Sequence, residues 1–79
     1  MKKLLVLREK KQLQIFSHYL VIKDENSEQI IGYEQIKEIY LSDEFELPVR
    51  ELIKLASYLP LYFIDHNGYI VGSISLEKR

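Results

Sequence analysis

The hydrophobic positions change period several times along the chain, and each change marks a short element. Leu4 to Leu7 is an unbroken apolar run of strand length, closed by the polar stretch Arg8-Glu9-Lys10-Lys11-Gln12. Leu13 and Ile15 then alternate with Gln12, Gln14 and Phe16, and His18 to Ile22 adds a second extended run rich in β-branched and aromatic residues. Ser17-His18 between them reads as a tight turn or bulge. Lys23 to Glu28 is a polar loop with good turn formers, and Gln29 to Tyr33 is the strand that returns from it. Ile36 to Leu41 fits helix and strand about equally. A strand is expected there, because Ile39-Tyr40-Leu41 is β-prone and the run stops at the acidic stretch Ser42 to Glu46. One short helix is predicted over about 48–59, with Pro48 at its first position, where a missing N–H costs nothing. Val49, Leu52, Ile53, Ala56 and Leu59 fall on its core face, Arg50, Glu51, Lys54 and Ser57 on the other, and Pro60 stops it.

The best specified turn follows, within Pro60 to Gly72. Asn67-Gly68 lies between two apolar runs and suits a two-residue type I′ loop, which needs positive φ at both positions. That loop predicts a register in which His66 faces Tyr69, Asp65 faces Ile70, Ile64 faces Val71, Phe63 faces Gly72 and Tyr62 faces Ser73, with the last strand continuing to Leu76. Side-chain alternation then puts Leu61, Phe63, Ile70 and Ile74 on one face and Tyr62, Ile64, Tyr69 and Val71 on the other. Both faces are apolar, so both need cover. The rest of this short chain can cover one of them, and a second subunit is expected against Tyr62, Ile64, Tyr69 and Val71.

These elements define a mainly β, α+β chain of two small packed antiparallel sheets or hairpins, with one short helix before the final hairpin. Its 79 residues allow a single domain, and such a domain buries only roughly 60–65% of its unfolded surface, so a partner or a continuing chain would add stability. The end at Glu77-Lys78-Arg79, without cap or polar tail, suggests the first domain of a longer chain. With no cysteine there is no disulfide or thiolate zinc site, and the cytoplasm is the expected compartment. No run is long enough to span a bilayer. The net charge of −1 excludes a globally basic nucleic-acid binder, which leaves only a local basic patch.

Candidate chemistry is sparse. The histidines are His18 and His66, and no serine sits in a glycine-flanked elbow. Ser17 and His18, adjacent on an extended chain, point to opposite faces. Asp65-His66 beside Asn67 could hold a metal but reads better as the polar tip of a hairpin. Asp43, Glu44 and Glu46 lack the spacing and the glycine of a calcium loop. The six tyrosines could stack bases, yet five of them (19, 33, 40, 62 and 69) sit in predicted strands and read as core or interface. No catalytic site is found.

The chain resembles a known family at several points. Leu20 to Asp24, the strand leading into Ile36-Lys-Glu-Ile-Tyr-Leu41, the short helix, and Phe63, Ile64, Asp65, Asn67, Gly68 and Gly72 together resemble the N-terminal β-domain of the CRISPR-associated integrase that captures foreign DNA as new spacers. The resemblance implies a domain that forms a homodimer and holds double-stranded prespacer DNA by its backbone, beside a small ferredoxin-like partner subunit. It also implies that the nuclease and integrase site, a glutamate, a histidine and an acidic residue with a divalent metal such as Mg or Mn, belongs to a larger helical domain. His66 does not match that histidine, so the resemblance assigns this chain no catalytic residue, metal or cofactor. For the DNA contact the candidates are Arg8, Lys10 and Lys11, the one basic cluster placed in a loop between strands, since phosphate contacts need only charge and reach. The competing reading is a stand-alone protein-interaction module without a nucleic-acid role, which the near-neutral charge and the doubly apolar hairpin also suit.

Overall fold

The computed structural model describes residues 1–8 and 11–76. The elements run β1 (Lys3–Leu7), β2 (Gln12–Ile15), β3 (Tyr19–Lys23), β4 (Glu28–Gly32), β5 (Ile36–Ser42), α1 (Val49–Ala56), β6 (Leu61–Ile64) and β7 (Ile70–Ile74). Four strands form one sheet in the order β1-β5-β6-β7, and the other three form a meander, β2-β3-β4. The expected mainly β class with one short helix is the observed one. Strand direction differs in the larger sheet, where β1 is parallel to β5 and β5 to β6, leaving only β6 and β7 antiparallel. Connection length explains it. Tight turns join antiparallel neighbours, whereas the meander separates β1 from β5 and α1 separates β5 from β6, and long crossovers of this kind bring the chain back in the same direction.

The two sheets and the helix close on one core. Leu20 and Ile31 of the meander, Ile36, Ile39 and Leu61 of the larger sheet, and Leu55 of α1 are the largest fully buried side chains, all in a single cluster with Leu7, Leu41 and Phe45. Phe45 explains why the acidic stretch after β5 stays ordered: its ring is buried while Asp43, Glu44 and Glu46 around it are exposed.

α1 is shorter than its sequence pattern, and its face is rotated. Pro48 is the N-cap residue, at φ −56° and ψ 146°, and its carbonyl accepts the Glu51 and Leu52 N–H groups at 2.9 and 3.0 Å. Leu55, Ala56 and Leu59 are buried, whereas Val49 and Ile53, expected inside, are 70% and 51% exposed. Two stripes overlap on this helix, and the one carrying Leu55 wins because Leu52, Leu55, Ala56 and Leu59 together present a continuous apolar face.

Tyr33, expected to end a strand, instead opens a 3-10 turn over Tyr33–Gln35. Its ring stacks on Tyr58 with centroids 4.9 Å apart, and its hydroxyl donates to the Phe16 carbonyl, tying the meander to the segment after α1. Burial first, then the neighbouring Tyr58 hydroxyl, pushes its ionisation up to about 12. The folded state thus holds this proton more tightly than the unfolded chain does, so the contribution is complete below about pH 10 and is lost as pH rises towards 12. In an alkaline titration followed by tyrosinate absorbance, Tyr33 is expected to ionise near pH 12. Tyr33→Phe should remove that step.

Candidate nucleic-acid interface

Parallel pairing gathers residues that are far apart in sequence. Because β1, β5 and β6 run in one direction, the residues that follow them, Arg8, Asp43 and Asp65, emerge at the same end of the sheet. Carboxyl ends of parallel strands are where open sheets most often place ligands. The Asp43 N–H donates to the Ile64 carbonyl at 3.2 Å. Buried Ser42 donates its hydroxyl to Asp43 Oδ1 and accepts the Glu44 N–H, both at 3.2 Å.

The β6–β7 turn completes this end, with a different geometry from the expected one. Tyr62 does face Ser73 and Phe63 faces Gly72, but Ile64 faces Ile70, and the register shifts between Phe63 and Ile64 so that Val71 is the extra residue. The Gly68 N–H donates to the Asp65 carbonyl at 3.0 Å, and the Asp65 N–H to the Tyr69 carbonyl at 2.9 Å. The loop is therefore His66-Asn67-Gly68. Gly68, at φ 91°, has a left-handed conformation, and no described residue other than glycine has positive φ. A type I′ loop is thus excluded. The cause is Asp65, whose Oδ1 accepts the Asn67 and Tyr69 N–H groups at 2.9 and 3.0 Å. That side-chain turn favours a type I bend followed by a left-handed glycine.

Arg8 is exposed, and its guanidinium lies over this turn: a Cβ built on Gly68 would sit 3.3 Å from Arg8 Nη2. Lys11 is half-buried. With Arg8, Val6 and Leu7 it lines a cleft of about 330 Å³. It also borders a larger open groove of about 1060 Å³ between β2 and the segment before α1, where Leu13, Lys23, Glu46, Leu47 and Pro48 lie. Lys10 falls outside the described residues. Arg8 and Lys11 thus share one cleft, with the hairpin turn beside Arg8.

The other sequence candidates are dispersed. Ser17, His18 and His66 are exposed, and Asp65 is engaged within its own turn. Among the described residues no group of three or more His, Cys, Asp or Glu side chains is placed to hold a metal ion.

The four expected interface residues differ in exposure. Tyr62 is half-buried and Ile64 is 4% exposed, whereas Tyr69 and Val71 are 71% and 67% exposed. Tyr62 belongs to a row across the outward face of the larger sheet, Val6–Tyr40–Tyr62–Ser73, beside the pairs Leu4–Glu38 and Ile64–Ile70. Leu4, Val6 and Ile70 are exposed on that face. Tyr40 and Tyr62 stack with centroids 5.1 Å apart, and the Tyr40 hydroxyl donates to Glu38 Oε1 at 3.0 Å. Hydrogen bonding to the Glu38 carboxylate is the main cause that pushes both phenols above their ordinary range. Leu4, Val6, Glu38 and Tyr40 carry no local signal of this face, because only the β1–β5–β6 pairing brings them beside Tyr62.

Comparison with known structures places this fold. The chain is similar to part of a Cas1 protein from Thermotoga maritima, with a TM-score of 0.69 and 23% identity over 92% of this chain and 25% of that one. It is similar to a chain of a partial Cas6-RT-Cas1–Cas2 complex, with a TM-score of 0.75 and 18% identity over 95% of this chain and 24% of that one. A casposase bound to its integration product matches with a TM-score of 0.62 and 20% identity, over 95% and 25% of the two chains. No family model matches the sequence, and no curated protein matches it. The fold is thus one that these structures contain, and the chain spans about a quarter of the length of each of the three.

Proposed function

We propose that this chain is the β-domain of a Cas1-like spacer-acquisition integrase, acting in dimerisation and in binding duplex DNA by its backbone. The observation that carries the reading is the likeness of nearly the whole chain to about a quarter of a Cas1 protein, of a chain from a Cas6-RT-Cas1–Cas2 complex and of a casposase bound to its integration product. Arg8, Lys10 and Lys11 are the proposed phosphate contacts, with Arg8 at the carboxyl end of β1. Metal-dependent cleavage and strand joining are assigned to a helical domain outside this chain, and the place of action to the cytoplasm. Similar structures that hold Cas1 with Cas2 support a partner subunit.

Binding should be insensitive to base sequence, since contacts to phosphate carry no sequence information. Titrating two unrelated labelled duplexes of equal length should therefore give the same affinity. A strong preference for one of them would count against backbone recognition.

The outward face of the larger sheet is the proposed dimer surface. Its exposed Leu4, Val6 and Ile70 surround the stacked Tyr40–Tyr62 pair, and exposed apolar area of this kind marks an interaction site. Light scattering is expected to give twice the chain mass. The double variant Val6→Glu, Ile70→Glu should weaken the dimer at least about tenfold, because each copy would have to bury unpaired charge. A strict monomer at high concentration would remove this part of the reading.

A further inference from the structure

The hairpin turn that carries the Asn-Gly signature lies against the arginine proposed to bind DNA. We infer that the Asp65–Gly68 turn is a positioning element for that arginine, with Gly68 as the seat that holds the Arg8 guanidinium towards a phosphate. The inference rests on the duplex-binding reading above and gives this turn a role beyond closing the hairpin.

Arg8 leaves β1 at one edge of the larger sheet, while the turn joins β6 to β7 at the other side. A side chain reaching across that distance would ordinarily sample many rotamers and lose affinity on being ordered by a ligand. In the structure the exposed Arg8 side chain does reach across, and its guanidinium rests over the turn. A Cβ at residue 68 would stand 3.3 Å from Nη2, tighter than ordinary contact, so a side chain there would displace the guanidinium by a few tenths of an ångström. Asp65, the nearest acidic side chain of the turn, directs Oδ1 to the N–H groups of Asn67 and Tyr69. Among the described residues the one ion pair is Lys23–Glu28, so Arg8 forms none there. The guanidinium lies next to the cleft that Lys11 shares, and its charged N–H donors suit phosphate oxygens.

The test is a double-mutant cycle on duplex binding by this chain. Gly68→Asn retains a residue that tolerates left-handed backbone but adds the Cβ. It is expected to weaken binding of a labelled duplex roughly three- to tenfold in the Arg8 background and to have no effect in the Arg8→Ala background. Equal losses in both backgrounds would overturn the positioning role and assign Gly68 to the fold alone. Because Gly68→Asn can destabilise the turn, the free chain supplies a second measurement: nuclear Overhauser contacts between the Arg8 guanidinium protons and Gly68 Hα. Their presence in the native chain and loss in Gly68→Asn support the seat, and their absence in the native chain overturns it. If Arg8→Ala alone leaves affinity unchanged while those contacts are seen, the duplex contact at Arg8 fails and the seat stands only as structure.

Discussion

Leu55→Ala is expected to lower the unfolding free energy by roughly 2–5 kcal/mol, the range for deleting a buried leucine where the surroundings cannot collapse. Leu55 is 0% exposed and belongs to the core cluster that residues of both sheets and α1 share, so its loss leaves a gap in that core. A chain of 79 residues has a total stability of only about 4–12 kcal/mol at ~0.05–0.15 kcal/mol per residue. The substitution therefore removes a large share of it, and at the low end of that range a visible unfolded fraction in water is expected. Urea denaturation followed by circular dichroism measures the effect. Ile53→Ala, on the exposed side of the same helix, should stay within about 0.5 kcal/mol of the parent. A lower midpoint for Ile53→Ala than for Leu55→Ala would show that the helix is turned the other way.

The second large effect concerns Arg8 and Lys11. The double variant Arg8→Ala, Lys11→Ala is expected to weaken duplex binding on the order of tenfold at low salt, by the same factor for unrelated sequences, and to reduce the slope of log affinity against log salt by roughly two. Arg8 is exposed and Lys11 half-buried, both outside the core cluster, so the thermal midpoint should move little. A loss of affinity together with an unchanged salt slope would mean that the two cations act through the fold and not through phosphates.

Local signals carried most of the fold. Strands appear where apolar runs of four to seven residues meet turn formers, because burial of a pleated surface and turn chemistry are both written in neighbouring residues. The Asn67-Gly68 pair located the final turn but did not determine its type. The deciding residue was Asp65, whose carboxylate can engage its own backbone two residues on, and an Asp three positions before a Gly was the available sign of a type I bend. The helix face was misread for a related reason: with only about two turns, two apolar stripes fit the sequence, and tertiary contact chooses between them.

Non-local pairing was not legible at all. Nothing in Lys3–Leu7 states that it lies parallel to Ile36–Ser42, so the outward row of Val6, Tyr40 and Tyr62 could not be assembled from sequence, and only Tyr62 and Ile64 of that face were identified. The basic cluster was legible as charge in a loop. Its most specific feature, Arg8 lying on Gly68, links positions sixty residues apart in the chain and required the parallel sheet to be seen.

The most direct measurement of the proposed role is a fluorescence anisotropy titration of a labelled DNA duplex with the native chain at low and at moderate salt. With two or more phosphates neutralised, the affinity should fall about tenfold or more between ~50 mM and ~200 mM salt. Duplex binding that does not respond to salt, or no binding at either concentration, would contradict the account.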